Sequence, residues 1–141
     1  MKISEVMSRD PYVCAPRSVL IDVAGRMRDA GISAVPVCDG KRVRGLITER
    51  DLAVRAVAQG LDPIMSVAEQ IMCVEVPACY EDQEVSEASA LMEKKHIRRV
   101  VVLDRDDNLV GILSMKDIVV KCSGEHLVGK VLEVITQPAL L

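Results

Sequence analysis

Four side chains in this chain fall at spacings that could hold a small polar ligand. Thr48 and Asp51 stand three residues apart in "GLITERD" (residues 45–51), and Ser114 and Asp117 do so in "GILSMKD" (residues 111–117). A hydroxyl followed three residues later by an acid, where an apolar run gives way to a helical pattern, has two uses. It can close a helix start, the hydroxyl oxygen accepting a backbone N–H while the acid reaches back to the cap residue. It can also serve a ligand. A helix start offers free N–H groups and positive potential to an anion, and an Asp there can accept two hydroxyls at once, as from a ribose 2′,3′-diol. Capping boxes prefer Glu or Gln at the third position, yet the shorter Asp stands there both times. Arg50 and Lys116, inside the two motifs, are further candidate phosphate partners.

The elements that position these residues belong to a duplicated unit. A shift of 65 places Met7 on Met72, Cys14 on Cys79, Met27 on Met92, Ile32 on Ile97, Val35 on Val100, Val37 on Val102 and Asp39 on Asp104. One residue is then added in the second copy, and a shift of 66 places Gly45 on Gly111, Thr48 on Ser114 and Asp51 on Asp117. An in-register insertion belongs in a loop, and "DGKRV" against "DRDDNL" is a polar stretch between apolar runs. The chain therefore reads as a first repeat over residues 2–60, a linker over 61–65 within "GLDPIM", a second repeat over 66–123 and a tail over 124–141.

Each repeat reads as β-α-β-β-α, an α/β (α+β) fold. In the first, residues 12–14 are extended and Ser18 is the predicted helix N-cap. Val19, Leu20, Val23, Met27 and Ala30 recur at helical spacing until Gly31. Residues 34–38 and 43–48 are β-rich and joined by the turn signal Asp39-Gly40. A second helix is predicted over 49–59, with Gly60 past its end. In the second repeat, Val85, Ala88 and Met92 line a helix face beside Leu91, with Lys94, Lys95 and His96 at its C-terminal end. Strands are predicted over 98–103 and 109–113, and a helix over 115–122 with Gly124 beyond it. Ser66 and Glu69 have capping-box spacing and predict a short helix. Neither half can bury much surface alone, so the two should share a core. In the tail, Leu127, Val128, Val131, Leu132 and Ile135 form a helical apolar stripe ended by Pro138, which either docks on its own domain or meets a second copy or a partner.

Composition narrows the function. Half of the 141 residues are hydrophobic and 28% are charged, which favours a packed fold over disorder. There are two tyrosines and no Phe or Trp, so the core is aliphatic and a flat ligand must be gripped by aliphatic side chains and backbone. A net charge of −3 gives no general attraction to nucleic acid. The apolar runs fall well short of the roughly 20 residues that span a bilayer, and the first residues lack the apolar segment of a signal peptide. The expectation is a soluble, cytoplasmic protein without membrane attachment. Five cysteines are scattered with no C-x-x-C, which reads as reduced, buried thiols and no metal site.

The order and duplication of these motifs resemble the CBS-domain family, whose domains occur in tandem pairs. The matching stretches are Val6-Met7 and Ile71-Met72, "AVPVCD" (residues 34–39) and "RVVVLD" (residues 99–104), and the two hydroxyl–aspartate motifs, together covering residues 2–123. The resemblance implies a tandem pair packed about a pseudo-twofold axis with two clefts. It also implies a regulatory module for AMP, ADP, ATP, NAD or S-adenosylmethionine that acts on a partner or through a homodimer. Thr48 with Asp51, and Ser114 with Asp117, would hold phosphate or ribose. The adenine would lie near the start of each middle strand, against Ala34, Val35 and Pro36 or against Arg99, Val100 and Val101.

The two copies differ at these places. Val101 stands where the first copy has Pro36, and His96, Arg98 and Arg99 stand where it has Gly31, Ser33 and Ala34. Arg98 and Arg99 are candidate phosphate partners, at most one of them facing a given cleft. The clefts are therefore not expected to be equivalent. Three other patterns point elsewhere. "GEHLVGKV" (residues 124–131) has the G-x-x-x-x-G-K of a P-loop but lacks its Ser or Thr and follows a helix. "DRDDN" (residues 104–108) starts like a calcium loop but lacks the required Gly and Glu. His96 and His126 belong to no evident triad and are expected at the surface. No catalytic set assembles, so the chain is not expected to be an enzyme. The rival readings are a structural dimerisation module with vestigial clefts and a nucleotide hydrolase using residues 124–130.

Overall fold

The computed structural model describes residues 1–122 and 125–137, without the side chains of residues 125–128 and 130. The helix ends expected at Gly124 and Pro138, and the side chains of His126, Leu127 and Val128, lie outside the described residues. The elements are α1 (Ile3–Val6), β1 (Ser8–Arg9), α2 (Leu20–Ala30), β2 (Ala34–Asp39), β3 (Arg42–Thr48) and α3 (Glu49–Asp51), the last continued by a π-helical segment (Leu52–Val57). A 3₁₀ turn (Ala68–Gln70) follows, then β4 (Ala78–Tyr80), α4 (Val85–Lys95), β5 (Arg99–Leu103), β6 (Leu109–Ser114), α5 (Met115–Lys121) and α6 (Glu125–Ile135).

The chain forms two compact units that are cut differently from the sequence repeats. One is Pro11–Val76; the other joins Met1–Asp10 to Pro77–Leu141. The leading residues of each repeat thus pack in the unit built on the other repeat. In the 11–76 unit, β2 and β3 form an antiparallel hairpin, with Cys14 bridging Val37 on one side and Cys73 bridging Leu46 on the other. In the other unit the sheet order is β1-β6-β5-β4, with Cys79 beside Val102 and Ser8 beside Ile112. These are the same pairings shifted by 65 or 66 residues. Even the irregularity recurs: register shifts fall between Val37 and Cys38 and between Val102 and Leu103.

Both cores are aliphatic and repeat position for position. Cys14, Leu20, Val23, Met27, Val35, Val37, Ile47, Ala68 and Ile71 are buried together in the first. Cys79, Val85, Ala88, Met92, Val100, Val102, Leu113, Ile3 and Val6 occupy the equivalent places in the second. Burying one such side chain stabilises a fold by about 1.5–3 kcal/mol.

Several expected helix ends differ from the sequence reading. Gly31 takes the left-handed conformation (φ 64°) and ends α2 as expected, while His96 does the same for α4 at φ 55°. Ser18 does not cap α2: its Oγ accepts the Ala15 N–H at 2.9 Å, closing a local turn. The cap residue is Val19, and the first amides of α2 donate instead to the carbonyls of Ser66 and Pro63, both at 3.0 Å. The equivalent amide of α4, from Val85, donates to the Met1 carbonyl at 2.9 Å. Ser66 is likewise not the start of a capping box. The box forms one residue later, where the Gln70 carboxamide oxygen accepts the Val67 N–H at 2.6 Å. The helix expected over 49–59 widens after Asp51 into π geometry, with Ala58 N–H donating to Ala53 carbonyl at 2.9 Å. The tail helix docks on its own unit through Val131 and Val134, which join the core, while Leu132 and Ile135 remain 54% and 43% exposed.

Candidate functional site

Each hydroxyl–aspartate motif sits at the junction of the second hairpin strand and the helix that follows. At Thr48, Asp51 Oδ2 accepts the Thr48 N–H at 2.8 Å and its hydroxyl at 3.0 Å, while Thr48 Oγ1 accepts the Asp51 N–H at 3.3 Å. At Ser114, Asp117 Oδ2 accepts the Ser114 N–H at 2.9 Å and its hydroxyl at 2.9 Å, and Ser114 Oγ accepts the Asp117 N–H at 3.2 Å. Both are reciprocal capping boxes, with Asp where Glu is usual. The shorter acid holds Oδ2 against the cap and leaves Oδ1 outside the box. Thr48 and Asp51 are buried, each 8% exposed; Ser114 and Asp117 are half-buried.

The start of the middle strand lies beside each motif. Ala34 faces Thr48 and Pro36 faces Leu46 across the first hairpin; Arg99 faces Ser114 and Val101 faces Ile112 across the second. Val35, Val37, Val100 and Val102 turn into the cores, so by strand alternation Ala34, Pro36, Thr48, Arg99, Val101 and Ser114 lie on the opposite sheet faces. A backbone bond ties strand start to helix start in each unit: Glu49 N–H donates to Ser33 carbonyl at 3.1 Å, and Met115 N–H to Arg98 carbonyl at 3.0 Å. The structure therefore brings Ala34 and Pro36 to the face that carries Thr48, and Arg99 to the face that carries Ser114. Val35 turns away from that face into the core. Arg50 and Lys116 are exposed on the helices. The Arg98 guanidinium is directed to the tail helix, where Nη2 donates to the Ile135 carbonyl at 3.2 Å.

Two sets of contacts around the motifs escaped the sequence reading. The motif glycines, Gly45 and Gly111, are places of close approach. A Cβ on Gly45 would lie 2.5 Å from Met72 Sδ, and one on Gly111 would lie 2.6 Å from Met7 Sδ and 2.8 Å from the Ser8 carbonyl oxygen. The repeating Val6-Met7 and Ile71-Met72 pairs are the signal that could have located this contact. The second set is a cation four residues beyond each aspartate. Arg55 Nε lies 3.7 Å from Asp51 Oδ1 while its Nη1 donates to the carbonyls of Ile71 at 3.4 Å and Met72 at 3.5 Å. Lys121 Nζ donates to the Val6 carbonyl at 2.8 Å.

The remaining sequence patterns resolve as structure. Residues 125–130 lie within α6, so their amides follow a helix and form no phosphate-cradling loop. Asp104 Oδ1 accepts the N–H groups of Asp106 and Asn108, both at 2.9 Å, which folds "DRDDN" into a hairpin tip. Among the described residues no group of three or more His, Cys, Asp or Glu could hold a metal ion, and no helix is long and apolar enough to cross a membrane. A cavity of about 370 Å³ lies between α4 and α6, lined by Glu93, Lys94, His96 and Glu133 among others, and none of the motif residues lines it.

The family model for the CBS domain matches residues 3–57 and again 67–124. An uncharacterised protein of Methanopyrus kandleri is 39% identical over 119 residues, which are 84% of this chain and 61% of that protein. The chain thus spans less than two thirds of that relative. A CBS domain protein from Pyrobaculum aerophilum, solved in complex with AMP, superposes with a TM-score of 0.77 at 27% identity, covering 97% of this chain and all of that one. The CBS domain pair of protein MJ0100, solved with 5′-methylthioadenosine and S-adenosyl-L-methionine, superposes with a TM-score of 0.75 at 27% identity, covering 84% of this chain and 97% of that one.

Proposed function

Because the chain belongs to the CBS-domain family, we propose that it is a regulatory module that binds an adenosine-containing ligand: AMP, ADP, ATP, NAD or S-adenosylmethionine. The observation that carries this reading is the twice-built junction in which a buried or half-buried hydroxyl–carboxylate pair shares a sheet face with the start of the middle strand. The carboxylate suits a ribose diol and the strand start suits an adenine held without aromatic stacking. The complexes of two relatives with adenosine compounds support the same ligand class. The module acts by binding, not by catalysis. It passes the ligand's level to a partner or through a homodimer, for which Val119 and Val120 on α5, both exposed, offer apolar contact. Signalling requires that the ligand bind two arrangements of the chain unequally.

One specific observation favours the rival, a structural module with vestigial sites. Oδ2 of each aspartate is already engaged within its own capping box, so the motifs have a purpose without any ligand. Thermal unfolding and calorimetry with AMP, ADP, ATP, NAD and S-adenosylmethionine separate the two. A ligand present at a hundredfold excess over its Kd should stabilise the fold by about 2.7 kcal/mol. No binding by the unaltered protein overturns the sensor reading; binding unaffected by both Asp51→Ala and Asp117→Ala overturns the site assignment.

A further inference from the structure

We infer that the chain holds one nucleotide, on the second repeat, and that Arg55 is the residue that withholds the first repeat's carboxylate. The inference rests on the adenosine-binding reading above and assigns its site and ligand class. In each unit a cation four residues past the motif aspartate reaches the leading segment of the other repeat, Ile71-Met72 or Val6. The ammonium of Lys121 is a single donor centre, and it is placed on the Val6 carbonyl at 2.8 Å. One nitrogen of the Arg55 guanidinium, Nη1, reaches both carbonyls, and the same rigid plane sets Nε 3.7 Å from Asp51 Oδ1. Asp51 thus has one oxygen in its capping box and the other against a cation, with its side chain 11% exposed. Asp117 has Oδ2 in its box, and its Oδ1 has no hydrogen-bond partner among the described residues. A diol needs a carboxylate oxygen free to accept two hydroxyls. Asp117 supplies one; Asp51 would first have to part from Arg55.

The strands differ independently in the same direction. Arg99 faces Ser114 where Ala34 faces Thr48. A guanidinium on the face of the hydroxyl–carboxylate pair suits a 5′-phosphate, through charge-assisted and bidentate hydrogen bonds. The second repeat therefore combines an Asp oxygen outside any ion pair with a strand guanidinium, where the first has an ion-paired Asp and a strand alanine. The ligand class is an adenosine 5′-phosphate with an intact 2′,3′-diol.

Calorimetry of the full chain with AMP tests this. One site per chain is expected, with adenosine and 2′,3′-dideoxy-AMP each binding at least tenfold more weakly than AMP. Hydrogen exchange with AMP bound should gain protection in residues 111–117 and not in 45–51. Asp117→Asn should weaken AMP at least tenfold with the protein still folded by thermal unfolding, and Arg99→Ala should erase the preference for AMP over adenosine. The double variant Ala34→Arg, Arg55→Lys gives the first repeat the second repeat's side chains and should raise the stoichiometry to two. Two equal sites in the unaltered protein, or protection confined to residues 45–51, overturns the inference and leaves the adenosine reading standing. Binding of S-adenosylmethionine without AMP overturns the phosphate class. No binding of AMP, ADP, ATP, NAD or S-adenosylmethionine overturns the adenosine reading itself.

Discussion

At the scale of single residues, the motif hydroxyls serve the fold before they serve any ligand. Thr48 Oγ1 and Ser114 Oγ each satisfy an aspartate N–H that the helix start would otherwise leave open. Thr48→Ala and Ser114→Ala should therefore each lower stability by about 1 kcal/mol even without ligand, measurable by urea unfolding. The five cysteines follow the expectation of reduced, largely buried thiols, with Cys73 the one that is half-buried. Burial pushes Cys14 up to about 11, helped by the neighbouring Cys38, and pushes Cys79 up to about 11, helped by Glu87. An acid whose value is raised on folding holds its proton in the native state and loses it sooner when unfolded. Its contribution is whole below the unfolded value near 9 and is lost as pH climbs toward 11. Stability should fall across that window, and the fall should flatten in Cys14→Ala and Cys79→Ala. At pH 8, iodoacetamide should alkylate Cys73 well before Cys14 or Cys79, as read by peptide mass spectrometry.

At the scale of elements, the local signals were legible and the distant ones were not. Periodicity placed α2 and α4, the Asp39-Gly40 turn placed the first hairpin, and the two shifts placed the second. The motif residues were legible because spacing of three at a strand–helix junction is a local property. Ser18 and Ser66 misled because the amides they were expected to cap are satisfied by backbone carbonyls far along the chain, at Ser66 and Pro63 for the first and at Ser18 and Pro16 for the second. Spacing within a few residues carries no trace of such partners. The motif glycines were read past for the same reason, since what crowds them lies tens of residues away. Gly111→Ala would set a Cβ 2.8 Å from the Ser8 carbonyl oxygen, whereas Gly45→Ala meets chiefly the flexible Met72 side chain, at 2.5 Å, with the nearest backbone atom at 3.0 Å. Overpacking of this kind costs about 1–3 kcal/mol. Gly111→Ala should sit at the upper end and Gly45→Ala below it. Met72→Ala should recover part of the loss in Gly45→Ala, while Met7→Ala should recover less in Gly111→Ala, as a double-mutant cycle of chemical unfolding would read.

At the scale of the whole molecule, the repeat is a unit of sequence but not of packing. Residues 1–10 leave the first repeat to complete the core of the unit built on the second, where Ile3 and Val6 are fully buried and Met7 is 4% exposed. Three such side chains contribute about 1.5–3 kcal/mol each, a sum comparable with the 5–15 kcal/mol that holds a typical domain. The segment also closes a backbone account, because Met1 caps α4 through Val85 and Ser8 pairs with Ile112. Removing residues 1–9 should thus damage the far end of the chain, not its new beginning. Hydrogen exchange should rise across α4, β5, β6 and α5, including Ser114 and Asp117. The unit Pro11–Val76 keeps its own leading segment, Ala68 to Cys73, and should hold its protection. Equal loss of protection in both units would mean that each unit requires the other to stay folded. Loss confined to residues 10–60 would mean that the leading segment stabilises the repeat it precedes in sequence. The expected pattern, loss on the second repeat alone, would also abolish ligand binding there, because Asp117 cannot be held against Ser114 once β6 and α5 come apart.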